Sequence, residues 1–189
     1  MVRSLTVLFS VCLVAGCLPW STIHENRGDL CLAEGRFGEA VYEYTLLLQS
    51  ECSINNLIQR ARAWEGVGDL NEAIEDYDSA LVLFPESIEA LTGRGMARAR
   101  ELFRRCEPER LWLTREELSA LRILTFADLN RAVALAPGDP HVYRSRAYAR
   151  HLLGDHRGAM KDLGQAIRLG ETDEWTEALS GSIRRALGE

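Results

Sequence analysis

Residues 54–87, INNLIQRARAWEGVGDLNEAIEDYDSALVLFPES, decide the fold of this 189-residue chain. Most of the stretch consists of residues that favour helix, but Gly68-Asp69 interrupts it near the middle. A glycine just after a helical run commonly closes the helix. The landmarks on either side of this break are Trp64, Ala73, Tyr77 and Pro85. The stretch therefore favours helix on both sides of a break at Gly68-Asp69.

The same spacing recurs before and after this stretch, with turns at Gly35-Arg36-Phe37 and Gly154-Asp155-His156. The landmarks of the first unit are Gly28, Cys31, Ala40, Tyr44 and Cys52. Those of the last unit are Tyr143, Ala147, Arg150, Ala159, Leu163 and Glu171. The third unit has Leu91, Gly95 and Arg98 in its first half and Thr125, Leu129, Ala132 and Pro137 in its second. Eighteen extra positions separate its two halves, so an insertion replaces the tight turn.

A second register of charged residues supports this alignment. Arginine recurs at one repeat position, as Arg27, Arg60, Arg94 and Arg146. A carboxylate recurs sixteen residues later, once the insertion is subtracted, as Glu43, Asp76, Asp128 and Asp162. A guanidinium near a helix interface needs acceptors, and a facing carboxylate supplies two of them. We therefore expect four structural ion pairs, within a unit or between neighbouring units.

The landmarks resemble the tetratricopeptide repeat, a helical hairpin whose copies stack side by side. The resemblance implies an all-α, solenoid-like array of four hairpins at about residues 21–53, 54–87, 88–139 and 140–172, together spanning 22–172. Such an array needs a closing helix with one polar face, because a single hairpin cannot bury its apolar stripe. Residues 173–189 suit that role, since Trp175, Leu179 and Ile183 recur every four positions.

Residues 103–124 form the insertion. Thr114 and Glu117 have the spacing of a capping box, which predicts a helix from about Thr114 through Leu135. The insertion also carries possible contact residues for a partner or for self-association, namely Trp112, Arg104 and Arg105. The alternative is that Trp112, Leu118, Leu121 and Leu124 pack the two lengthened helices against each other.

The first residues have the layout of a secretory signal, with Arg3 followed by the apolar run 5–15. Leu13-Val14-Ala15-Gly16-Cys17 resembles the lipobox of bacterial lipoproteins. That resemblance implies a signal peptide over 1–16, a lipid attached to Cys17 and a tether over 17–21. Leu18, rather than aspartate, follows the cysteine, which favours the outer membrane with the domain facing the periplasm. An ordinary secretory signal and an uncleaved anchor are the alternatives.

Three further cysteines, Cys31, Cys52 and Cys106, remain after Cys12 and Cys17 are set aside. An odd number allows at most one disulfide within the chain. Their spacing matches no metal site, and we expect them to be small buried apolar residues.

In tetratricopeptide repeats the concave face is lined by the first helix of each unit, so the resemblance implies a groove for a peptide or partner helix. The groove positions are Glu25, Asp29, Asn55, Ile58, Arg62, Glu65, Glu89, Thr92, Met96, Arg100, His141, Arg144, Tyr148 and His151. A merely solvated helix face is the alternative. One subgroup holds the C-terminal carboxylate of heat-shock chaperones with lysine and asparagine, but Glu25 and Asp29 would repel a carboxylate here.

The composition excludes several classes of function. A net charge of −6 and the lack of nucleic-acid motifs argue against nucleic-acid partners. The sequence has no phosphate loop, nucleophile elbow or metal-ligand spacing, so we expect no enzyme activity, cofactor, metal or small-molecule substrate. We expect a non-catalytic scaffold of the cell envelope with protein partners. The alternatives are an assembly or piloting lipoprotein for a pilus or secretion component, and a regulator of a cell-wall enzyme.

Overall fold

The computed structural model describes residues 20–105 and 114–188, and these residues form nine helices and no strand. They are α1 (Trp20–Ala33), α2 (Phe37–Ser50), α3 (Ile54–Val67), α4 (Leu70–Leu83), α5 (Ile88–Arg105), α6 (Arg115–Leu135), α7 (Pro140–Leu152), α8 (His156–Arg168) and α9 (Glu174–Leu187). Each helix packs against the next in chain order, and α5 also packs against α7. The predicted all-α solenoid is confirmed.

Three glycines lie at the bends between paired helices, as the spacing predicts. Gly35, Gly68 and Gly154 have φ angles of 72°, 97° and 85°, in the left-handed region that glycine enters without a steric cost. At Gly68 the next amide, that of Asp69, donates back to the carbonyl of Trp64 at 3.0 Å, which closes α3. These three glycines therefore allow the tight bends inside the first, second and fourth hairpins.

The third unit has lengthened helices in place of a tight turn. Thr114 accepts the amide of Glu117 at 3.2 Å, and the Glu117 carboxylate accepts the amide of Thr114 at 2.8 Å. These reciprocal bonds start α6 at the predicted point. Leu118 and Leu121 are half-buried, but Leu124 is exposed, so the prediction that it packs the two helices together is wrong. Trp112 lies outside the described residues.

Small side chains let the helices approach closely. Alanines on α3, α4, α5, α7 and α8 are fully buried, and a methyl group added to Gly95 would lie 2.7 Å from Leu129 Cγ. At the far end α9 covers the last hairpin with Leu179 and Ile183, while Trp175 remains 44% exposed. The predicted closing helix is present and starts after the Asp173 cap.

The cysteines divide between core and surface. Cys31 is buried against Tyr44 and Leu47 in the core of the first hairpin. Cys52 is exposed in the short connection between α2 and α3, so its predicted burial is wrong. Cys17 and Cys106, together with the signal peptide, lie outside the described residues. Across 20–105 and 114–188, no helix is both long and apolar enough to cross a bilayer.

Four arginine–carboxylate pairs repeat along the array. They are Arg27–Glu43, Arg60–Asp76, Arg94–Asp128 and Arg146–Asp162. The last three are bidentate, with Nε and Nη2 each 2.6–2.8 Å from a carboxylate oxygen. Each pair joins the two helices of one unit. The planar guanidinium thus fixes the angle inside each hairpin.

The remaining guanidinium nitrogen of the inner arginines reaches the preceding unit. Each acceptor lies two residues after the repeated carboxylate of that preceding unit. The contacts are Arg60 to Thr45 at 3.2 Å, Arg94 to Asp78 at 2.5 Å and Arg146 to Asn130 at 2.9 Å. The fourth acceptor position holds Gly164, which has no side-chain oxygen. We call this series the arginine ladder. It links three consecutive unit interfaces through one repeated contact.

Two units add a second arginine to the ladder. Arg98 donates to Asp128 at 2.8 Å, and Arg150 lies 2.8 Å from Asp162. Burial and the neighbouring charge of Arg94 lower the pKa of Arg98. Each of these carboxylates is therefore shared by two half-buried cations.

Candidate protein-binding groove

A concave space of about 600 Å³ lies between the first helices of units two, three and four. It is lined by Arg62, Glu65, Tyr77, Ile88, Glu89, Thr92, Gly93, Met96, Arg100, Asp139, His141, Val142, Arg144 and Ser145. We call this space the groove. Its size is within the range of about 300–1,000 Å³ that is usual for ligand sites.

The helices supply the groove residues at three- and four-residue spacing. Glu89, Thr92, Met96 and Arg100 of α5 lie on one helix face because about 3.6 residues make one turn. The positions of α3 and α7 follow from the stacking of successive units. Eight of the predicted positions therefore line a common surface.

Ion pairs between consecutive units neutralise most of the charge in the groove. Arg100 of α5 donates to Glu65 of α3 at 2.6 Å, and Arg62 of α3 forms an ion pair with Glu89 of α5. The surface thus presents paired charges. A partner would meet donors and acceptors of both kinds.

At its C-terminal end the groove is bounded by another ion pair. Arg144 contacts Glu171 and lies 2.8 Å from Asp173, which also caps α9. The guanidinium stands 5.1 Å from the centre of the Trp175 ring. The contact with Thr176, whose backbone amide donates to the Asp173 carboxylate at 2.7 Å, lowers the pKa of Asp173. This charged cluster ties the closing helix to the groove.

Tyr77 enters the groove from α4, a contribution that the sequence analysis missed. Its hydroxyl donates to Glu65 at 2.9 Å, and its ring fills the space that a side chain on Gly93 would occupy. Burial, together with the Glu65 charge, raises the pKa of Tyr77, so the phenol keeps its proton and remains a donor. The feature of the sequence that could have indicated this position of Tyr77 is Gly93 in the following unit, because it leaves room for the ring.

Several predicted groove residues do not line this space. Glu25, Asp29 and Asn55 lie toward the N-terminal end, where Asp29 accepts the Tyr44 hydroxyl. Ile58 is 4% exposed and packs in the core, so its assignment to the groove is wrong. Arg144 and Thr92 occupy the equivalent position of later units, and their polar side-chain atoms face the groove. The isoleucine side chain has no polar atom, so nothing holds it at the solvated surface.

The closing helix removes two more predicted residues from the groove. Tyr148 packs against Trp175 with ring centres 5.6 Å apart. His151 lies 3.0 Å from Ser182 Oγ through Nε2 and 3.0 Å from His156 through Nδ1. Burial, and then the neighbouring His156, lower the pKa of His151. Both side chains therefore join α7 to its neighbours.

The basic residues of the insertion contact their own chain. Arg104 donates to the Gly68 carbonyl at 2.9 Å, and Arg105 donates to Glu101 at 2.7 Å. Within the described parts of the chain, no three side chains of His, Cys, Asp or Glu come together as metal ligands. In the groove, paired charges surround the apolar Ile88, Met96 and Val142.

Comparison with known proteins identifies the fold. No protein-family model and no curated protein sequence matches the chain. Among solved structures, a thermophilic TPR protein of Thermus thermophilus, TTC0263, superposes with a TM-score of 0.77 at 21% identity, over 89% of this chain and 83% of that one. MamA from Desulfovibrio magneticus RS-1 gives a TM-score of 0.60 at 17% identity, over 89% of each chain.

A third similar structure is the first TPR of Spaghetti (RPAP3) bound to the HSP90 peptide SRMEEVD. It gives a TM-score of 0.54 at 21% identity, over 72% of this chain and 94% of that one. These identities support the fold and nothing finer. The solenoid is of the tetratricopeptide type.

Proposed function

We propose that this tetratricopeptide-type solenoid is a lipid-anchored scaffold of the bacterial cell envelope that binds other proteins and catalyses no reaction. The observation that carries the proposal is the groove, in which eight predicted positions from three units line one concave surface. Concave surfaces of stacked helical repeats suit extended peptides and single helices. The solved complex of RPAP3 with an HSP90 peptide is an example of this fold with a peptide bound.

The partner segment should carry both charges and a small apolar centre. Arg62–Glu89 and Arg100–Glu65 each offer a donor and an acceptor, and Met96 and Ile88 offer apolar contact. A free C-terminal carboxylate alone is a poor match, because the three arginines that line the groove are each already paired with a carboxylate of this chain. The groove therefore suits an internal segment of a partner better than a chain end.

The anchor rests on the sequence around Cys17. A short apolar signal followed by Leu13-Val14-Ala15-Gly16-Cys17 supports lipidation and membrane attachment. With Leu18 after the cysteine, the outer membrane is the proposed location and the domain faces the periplasm. The anchor holds the scaffold beside its partners, which raises their effective concentration.

Site-specific photo-crosslinking in intact cells tests the groove. The reactive amino acid replaces Met96 in the groove, or Glu75 on the outer face of α4 as the matched control. We expect one defined protein to be captured from Met96 and not from Glu75, and the captured peptide to map to an internal segment. Equal yields from the two positions would rule out the groove as the binding surface.

Acyl labelling tests the anchor separately. Replacing Cys17→Ser should abolish labelling and leave a precursor of unprocessed size. Unchanged labelling and size would rule out lipidation at this residue. If the captured partner loses its normal location when the scaffold is deleted, a piloting role replaces the static scaffold.

A further inference from the structure

The outer face of α1 carries large apolar residues where the later units carry small or buried ones. Trp20, Ile23 and Leu30 are 49%, 41% and 52% exposed, and with Arg27 they recur at three- and four-residue steps along one stripe. The equivalents of Ile23 are Asn56, Ala90 and Val142, and those of Leu30 are Ala63, Ala97 and Ala149, all of them buried. In each later unit the preceding helix covers this face.

Arg27 lacks the acceptor that the arginine ladder gives its equivalents. Its side chain is 61% exposed, against 22%, 19% and 14% for Arg60, Arg94 and Arg146. Glu43 holds one edge of the guanidinium, and in the described part of the chain no preceding helix supplies the second oxygen. The stripe thus combines three apolar side chains with one partly satisfied cation.

We propose that this stripe lies on a phospholipid surface, with Trp20, Ile23 and Leu30 in the boundary between headgroups and acyl chains. Arg27 then donates to a lipid phosphate, which replaces the oxygen that Thr45, Asp78 or Asn130 supplies elsewhere. Tryptophan favours this boundary because its ring is apolar and its N–H is polar. The inference rests on the proposed lipid attachment, since Cys17 precedes Trp20 by three residues, or about 10 Å of extended chain.

The charge of this end disfavours a second copy as the occupant. Residues 20–87 carry four arginines and 13 acidic side chains, so two copies joined through α1 would bring two strongly negative halves together. A zwitterionic headgroup has no net charge and avoids this repulsion. Glu25 and Asp29 belong to a different side of α1, because Asp29 contacts Tyr44 of the same hairpin.

Fluorescence quenching by brominated phosphatidylcholine tests the proposal on the full acylated protein in phosphatidylcholine vesicles. Two single-tryptophan forms are compared, one keeping only Trp20 and the other only Trp175, with phenylalanine at the remaining tryptophan positions. The two reporters are 49% and 44% exposed and sit at opposite ends of the array, so they differ mainly in location. We expect Trp20 to be quenched several times more strongly than Trp175.

A double substitution, Ile23→Ser with Leu30→Ser, should bring Trp20 quenching down to the Trp175 level while the acylated protein still floats with the vesicles. Both residues are exposed, so the melting temperature should not fall. Floating protein in which Trp20 is quenched no more than Trp175 overturns the proposal and leaves α1 as a face for a protein helix. Protein that fails to float overturns the lipid anchor, and with it this inference.

Discussion

Replacing Asp128 with alanine should destabilise the solenoid, because it removes a buried carboxylate that two arginines share. Asp128 is almost fully buried and accepts three hydrogen bonds, two from Arg94 and one from Arg98. The alanine removes the acceptor and leaves two half-buried guanidinium groups facing each other. Arg94 keeps only Asp78, at 2.5 Å, on its outer nitrogen.

The expected cost is about 3 kcal/mol of unfolding free energy, the lower end of the range for breaking a buried ion pair, because Asp78 and water relieve part of the charge. For a domain of this size 1 kcal/mol corresponds to about 2–4 °C, so the melting temperature should fall by about 6–12 °C. Asp78→Ala removes an acceptor that is about half exposed, and should cost less than about 1 kcal/mol.

Circular dichroism melts and urea titrations of the two variants provide the measurement. A triple variant, Arg94→Met, Arg98→Met and Asp128→Leu, serves as the control because it removes the charges together with their acceptor. It should recover most of the stability that Asp128→Ala loses, since the cost lies in the unpaired cations. If Asp128→Ala melts within about 2 °C of Asp78→Ala, the ladder contributes too little for this reasoning to stand.

Two further predictions concern glycine and histidine. Gly95→Ala should lower the free energy of unfolding, measured by urea titration, by about 1–3 kcal/mol, because the new methyl group clashes with Leu129. Gly181→Ala should raise it by about 0.5–1 kcal/mol, because alanine favours helix and its methyl group lies in open space. An equal effect of the two changes would contradict the close packing of α5 on α6. The pKa of His151 in the folded chain lies below the usual 6.5, so as the pH falls the unfolded chain binds a proton at this residue before the folded chain does. The free energy of unfolding should therefore decrease as the pH drops below about 6.5 toward the pKa of the folded state. Melting temperatures measured against pH should show this fall in the native chain, show less of it in His151→Gln, and retain it in the exposed control His141→Gln.

The repeat architecture could be predicted because three of the four units repeat the same turn, and all four repeat the same charged positions once the insertion is subtracted. Gly35, Gly68 and Gly154 sit at bends because a left-handed φ is needed there, and a glycine is visible in any sequence. The start of α6 at Thr114 is equally readable, since a capping box needs two side chains only three residues apart. Such local requirements leave a local signal.

Contacts between units are harder to foresee. The ladder acceptors Thr45, Asp78 and Asn130 share a repeat position but no residue type, so only the oxygen is common to them. Tyr77 reaches the groove because Gly93 of the next unit leaves room for its ring. These contacts depend on how two units stack, and the sequence of a single unit does not reveal that arrangement.

The residues assigned wrongly show the same limit. Ile58 occupies a groove position in the repeat but turns into the core, because it has no polar end. Cys52 stands at the repeat position of Pro85, in the connection between two helices. Its side chain stays exposed there, although cysteine has low polarity. Tyr148 and His151 would line a longer array, but here α9 lies over them.

The missing oxygen at Gly164 has a consequence for how such a protein can change its length during evolution. A unit copied onto the C-terminal side would bring a ladder arginine whose outer nitrogen finds no acceptor, because Gly164 has no side-chain oxygen. The new unit would also have to displace α9. A unit copied between two existing ones would find both halves of the link already in place. Growth of this array is therefore disfavoured at its C-terminal side, where one side chain is absent from the ladder.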